Sequence, residues 1–229
     1  MTTETALLLW WLLFGGFHLL LSSGPVRGRL IEGVGLKTFK GVYSLIALAT
    51  FFGLFFTYFH GRHAGPLIFD RSLPARHVTE LVMLAAVLFL SLAQPSKSPA
   101  TTAADMTGDR PSSPMGIHRI TRHPLNTGFA LFGLAHMLVN PTVGDWIFWG
   151  GFPVFAVLSA IHQDRRMLAS ESPEFRSFYE QTSFVPFAAI LSGRQRMAWS
   201  ELRWRGVAIG VVIYVGLRLI HPHAMGGFN

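Results

Sequence analysis

Two histidines sit where hydrocarbon surrounds them. His18 lies in FGGFHLLL and His136 in FGLAHMLVN, each within an apolar run and beside small residues: Gly15 and Gly16 for the first, Gly128, Gly133 and Ala135 for the second. An ionisable group at membrane depth costs roughly 2–3 kcal/mol or more unless something satisfies it, so such groups are read first as functional. Haem iron is often held by imidazoles projecting from facing helices of a bundle, and adjacent glycines leave room for a planar group or a close helix. The bland alternative for each is a buried imidazole bonded to a hydroxyl or a backbone carbonyl.

A third histidine belongs to a basic run, Arg119-Ile-Thr-Arg122-His123-Pro124. Pro124 favours a helix start, and first-turn amides with two guanidinium groups make an anion site. Arg119, Arg122 and His123, with Arg165 after the fifth apolar segment, would meet a lipid phosphate, a haem propionate or a cofactor carboxylate. The alternative is anchoring of basic residues at a cytoplasmic membrane edge. His118 and His162 stand as supporting groups. Asp164, beside Arg165 and Arg166, is read as orienting those arginines, with a catalytic role as the alternative. His60 with His63, and His221 with His223, have no third ligand spaced with them. The chain has no cysteine, which excludes thiolate sites and disulfides. Glycine motifs of the GxSxG, GxGxxG and Walker types are absent, which leaves hydrolase and nucleotide readings without support.

The elements that must position these groups are membrane helices. Half of the 229 residues are hydrophobic and only 14% charged, too apolar for an ordinary soluble domain. Apolar segments at 5–23, 41–59, 78–94, 125–139, 144–163 and 206–220 predict an all-α protein, a bundle of about six transmembrane helices forming a single domain over 1–229. Segment 5–23 reads as a span rather than a cleaved leader. Of the 19 basic residues, all but Arg62, Arg71, Arg76 and Arg218 fall in 24–40, 95–124 and 164–205. That bias puts those three stretches in the cytoplasm and both termini outside, as in a bacterial inner membrane. The net charge of +7 then suits anionic lipid, and no aromatics spaced among basic residues suggest a nucleic-acid surface. Residues 95–115, rich in Pro, Ser and Thr, read as a flexible cytoplasmic linker. Residues 164–200 read as a cytoplasmic amphipathic segment along the membrane, with Ser172 as N-cap before Pro173. FVPFAAIL, 184–191, is too short to span and reads as an interfacial or re-entrant piece.

The chain resembles the NnrU family of integral membrane proteins. The stretches that carry the likeness are FHLLLSSGPVRGRL (17–30), FKGVYSLIAL (39–48), GIHRITRHPLNTGFALFGLAH (116–136), DRRM (164–167) and TSFVPFAAILSGRQ (182–195). That family is similar to the 15-cis-zeta-carotene isomerases of plants and cyanobacteria. The resemblance implies haem b held by two histidines, His18 and His136 here, and isomerisation of a polyene dissolved in the membrane. Where those enzymes have a cysteine three residues before the second histidine, this chain has Gly133. On the expected topology His18 and His136 differ in depth by roughly 13 Å at 1.5 Å per helical residue, which leaves His123 as the alternative second ligand. A more distant likeness, through Arg122, His123, Pro124, Gly128, Tyr179 and Pro186, is to membrane methyltransferases that bind S-adenosylmethionine. A non-enzymatic factor supporting denitrification is the third expectation. The oligomeric state is left open.

Overall fold

A computed structural model describes residues 1–70, 73–93, 98–99, 111–170 and 172–225, with side chains left undescribed at 73–74 and 222–225. The protein is an all-α membrane protein, and no strand occurs among the described residues. Its helices are α1 (Thr3–Ser22), α2 (Gly24–Val34), α3 (Leu36–His60), α4 (Leu73–Ala93), α5 (Pro124–Met137), α6 (Val143–Ala169), α7 (Pro173–Gln181), α8 (Ala188–Leu191) and α9 (Trp204–Met225). Helices α1, α3, α4, α6 and α9 are long and apolar enough to cross a membrane. The fourth expected segment forms α5, which at 14 residues spans only about 21 Å of axis. It is packed between α4 and α6, and α1 packs on α3 and α6.

Several boundaries differ from the expected ones. The 24–40 stretch is not a loop: Pro25 in the first turn starts α2, and Gly35 at φ +81° lets the chain turn directly into α3. Helix α6 runs on past residue 163 to Ala169 and so carries Asp164, Arg165 and Arg166. The amphipathic helix is the short α7, where the Ser172 hydroxyl accepts the Phe175 amide as its sequence suggests. The expected linker 95–115 lies mostly outside the described residues.

Large aromatics packed against glycines set the helix spacing. The Trp10 ring lies against Gly53 and the Trp11 indole against Gly151, so α1 seats closely on α3 and α6. Pro153 inside α6 has no N–H for the Trp149 carbonyl one turn earlier. That carbonyl, with Phe152 and Pro153, occupies the place a Cβ on Gly133 would take. Gly133 therefore serves the close approach of α5 to α6. Gly128 does the same toward α4, where Leu90 and the Ala86 carbonyl fill the equivalent space. One aromatic core, built on Leu7, Leu54, Tyr58, Phe148, Trp149 and Phe152, joins α1, α3 and α6.

Candidate functional site

The end of the bundle where α1 finishes and α5 begins carries most of the basic residues. There the segment 120–123 pairs with 183–187. The Arg122 amide donates to the Ser183 carbonyl at 2.9 Å, the Thr121 hydroxyl to the Phe184 carbonyl at 2.9 Å, and the Phe187 amide to the Ile120 carbonyl at 2.8 Å. Phe187 takes a left-handed conformation, φ +66°, to make that turn. FVPFAAIL is thus hydrogen-bonded to the RITRHP segment.

Asp164 of α6 is the hub of this end. Its two oxygens accept from Arg122 Nε and His123 Nε2, both at 2.8 Å, and all three side chains are buried. A carboxylate only accepts, so His123 carries its hydrogen on Nε2. The Arg122 guanidinium lies 3.9 Å from the centre of the Tyr179 ring and also donates to the Tyr179 and Thr182 carbonyls at 3.3 Å. Arg119 makes two charge-assisted bonds to Glu201, at 2.7 Å each, and a third to Gln195 at 2.8 Å. These bonds hold the Glu201 carboxyl below the usual carboxylate range and raise Arg119 above its own. His118 is buried edge-on to Phe178, and burial, with the charge of nearby His123, pushes its pKa down to about 4. Arg122, His123 and Tyr179 of the methyltransferase-like pattern do come together, but they close around Asp164. Of the four groups expected to hold an external anion, Arg119, Arg122 and His123 are engaged by the protein's own carboxylates. Arg165 is exposed.

His18 sits near this end, on α1. Its ring lies 5.0 Å from that of Tyr43 and edge-on to Phe155 at 4.9 Å, and Phe14 completes the surround. Phe17, Leu21, Ile46 and Ala47 line a shallow apolar groove between α1 and α3, with His18 and Tyr43 in its wall. The Nδ1 atom of His18 is buried without a hydrogen-bond partner. An orphan of this kind ordinarily costs about 1–3 kcal/mol. No glycine-built slot surrounds it: a Cβ on Gly15 would only touch Phe155, and one on Gly16 would meet nothing.

His136 is at the other level of the bundle. Its ring stacks on Trp149 at 3.8 Å and 15°, and Nδ1 donates to the Phe132 carbonyl at 2.9 Å. That bond fixes the tautomer and leaves Nε2 as the ring's acceptor, as in a histidine that ligates a metal. The two imidazoles share no neighbour. His18 packs on Phe155 and His136 on Trp149, six residues apart along α6, or about 9 Å of helix axis. The pair does not bracket one site in this arrangement. His123, spent on Asp164, does not face His18 either.

Beyond His136 lies a polar cluster that reading the sequence missed. The Asp145 carboxylate, fully buried, accepts from Tyr58 Oη at 2.8 Å, His63 Nδ1 at 2.9 Å and the Thr142 hydroxyl and amide at 2.7 and 3.2 Å. Trp149 Nε1 donates to Tyr58 Oη at 2.9 Å, which connects the cluster to the ring under His136. His63 takes a left-handed φ of +59° to deliver its nitrogen. Thr142 and Asp145 form the capping box of α6, and the T-x-x-D spacing would have flagged Asp145 from sequence. Nothing local signals that Tyr58 and His63 meet it.

The fold and these polar clusters define a class: a helical integral membrane protein with titratable side chains built into its bundle. The chain matches the family model described as NnrU protein over residues 6–227 and belongs to that family. It is 28% identical over 197 residues to the 15-cis-zeta-carotene isomerase, chloroplastic, of Arabidopsis thaliana, covering 84% of this chain and 52% of the relative. To the same-named protein of Zea mays it is 27% identical over 201 residues, covering 85% and 52%. The chain therefore spans about half the length of the curated relatives it matches. No solved structure matches.

Proposed function

We propose that this protein isomerises a cis double bond of a membrane-dissolved polyene of the zeta-carotene type, and that it binds haem b with His18 as an axial ligand. The observation that carries the reading is His18: an imidazole with an unsatisfied ring nitrogen, set in the wall of an apolar groove at membrane depth. A polyene reaches such a groove from the lipid without crossing water, and its hydrocarbon matches Phe17, Leu21, Ile46 and Ala47. The printed activity of the two curated relatives supports the substrate class. The chemistry that haem brings is one-electron exchange, which lowers double-bond order in a conjugated chain. His136, whose Nδ1 is held by the Phe132 carbonyl, becomes the second ligand only if the α5–α6 pair moves relative to α1. The charge bias supports an orientation with the His18 end in the cytoplasm and both termini outside.

The test is to purify the full chain in detergent after expression with haem supplied, record its absorption spectrum, then incubate it in liposomes with a 15-cis polyene and resolve the isomers. A Soret band with conversion to the trans isomer is expected. A colourless protein removes the haem assignment, and a protein that leaves the isomer ratio unchanged removes the activity.

A further inference from the structure

The turn at 184–191 has two sides of the same apolar character and opposite surroundings. Inward, Ala189 is fully buried and Ile190 packs on the cluster of Leu92, Ile117, Ile120 and Leu202. The Ser183 hydroxyl accepts the Ala189 amide at 2.9 Å and donates to the Val185 carbonyl at 2.8 Å, and the Gln195 amide donates to the Ala189 carbonyl at 3.0 Å. Those bonds hold the other side outward, where Val185 is 58%, Phe187 47% and Leu191 86% exposed. Leu191 is barer than Val212 of the apolar α9, at 71%. Large apolar side chains grouped on one turn mark a surface that water does not cover.

The neighbours of this turn set its level in a bilayer. It is bonded to segment 120–123, which leads directly into α5, and it packs on Leu92 in the last turn of α4. Trp199 and Trp204, at the start of α9, are both exposed, and Trp204 Nε1 donates to the Trp199 carbonyl at 3.2 Å. Paired tryptophans at the end of an apolar helix belong to the headgroup layer. Exposed cations complete the rim: Arg194, Arg196 and Arg205. Arg194 donates to the Ser192 hydroxyl and to the Glu180 and Thr182 carbonyls, so its charge meets dipoles and no carboxylate among these partners. Arg119, by contrast, is spent on Glu201. Apolar tips within a cationic, tryptophan-bearing rim match an anionic leaflet, with hydrocarbon beneath and phosphate at the edge.

We infer that the 184–191 turn is a lipid-inserted wedge. Val185, Phe187 and Leu191 enter the hydrocarbon of the leaflet at the basic end, and Arg194, Arg196 and Arg205 meet the phosphates of anionic phospholipid there. The inference stands apart from the haem and polyene reading.

The chain has no cysteine, so Leu191→Cys gives one spin-label site in the full protein. The labelled protein is reconstituted in vesicles of phosphatidylcholine and phosphatidylglycerol. Electron paramagnetic resonance then compares collisions with oxygen, which partitions into lipid, and with a water-soluble nickel chelate. A Val212→Cys label is the hydrocarbon reference. At position 191, access to oxygen and exclusion of nickel, as at 212, are expected. Free access to nickel shows a water-facing turn and overturns the inference. Shielding from both reagents with dipolar broadening shows a second copy of the chain over the turn, and overturns it too. Arg196→Gln and Arg205→Gln should each lower the phosphatidylglycerol retained in native mass spectrometry about fivefold, with phosphatidylcholine unchanged. Unchanged phosphatidylglycerol in both variants overturns the phosphate contacts.

Discussion

Replacing Asp164 by Ala should unfold the basic end of the bundle before anything else. Asp164 accepts from Arg122 and His123 at 2.8 Å each, and the side chains of all three are 10% exposed or less. Breaking a buried pair by deleting one partner costs about 3–5 kcal/mol, because it strands the other charge. Arg122 keeps the Tyr179 ring and two carbonyls at 3.3 Å, so the lower part of that range is expected, about 3 kcal/mol. By the scaling of domains of this length, about 2–4 °C per kcal/mol, that is a fall of about 6–12 °C in melting temperature. The assay is thermal unfolding in detergent, followed by tryptophan fluorescence. Asp164→Ala with Arg122→Met removes both charges and should recover more than half of the loss. A single variant that melts within 2 °C of wild type, or a double variant that adds the two losses, would refute the claim that these groups are one desolvated unit.

Three further outcomes follow from the same geometry. Gly133→Ala places a methyl against the Trp149 carbonyl and should cost about 1–3 kcal/mol of stability by overpacking, measured by the same melt. Asp145→Ala leaves Tyr58, His63 and Thr142 without their acceptor; it should cost about 2–4 kcal/mol and raise proteolysis at loop 61–68, read by mass spectrometry of the fragments. Acidification should unfold the His118 region. Its folded pKa of about 4 lies below the unfolded value near 6.5, so the stability tied to neutral His118 is full above that value and is lost as pH falls from about 6.5 to 4. The loss approaches about 3 kcal/mol at 1.36 kcal/mol per pKa unit, and His118→Phe should flatten it.

Much of this architecture was legible from residue order alone. The apolar runs gave the membrane helices because hydrocarbon thickness demands long apolar stretches, and Ser172-Pro173 gave the start of α7 through its capping chemistry. The boundaries that shifted had physical reasons outside the local pattern. Helix α6 carries Asp164 inward because Arg122 and His123, forty residues earlier, neutralise it. Gly133 looked like room for a planar ligand, but it serves helix contact at a carbonyl that Pro153, on another helix, leaves exposed. Basic residues in RITRHP looked like an anion clamp, and their partners Asp164 and Glu201 come from distant sequence.

The central proposal is that the protein isomerises a membrane polyene and depends on His18 to do so. The measurement that tests it most directly compares conversion of a 15-cis zeta-carotene by wild type and His18→Ala, each reconstituted at equal amount in liposomes. The account predicts trans product from the wild type and none above the protein-free rate from the variant, with both proteins showing the same helical circular dichroism. Equal conversion by the two proteins would contradict it.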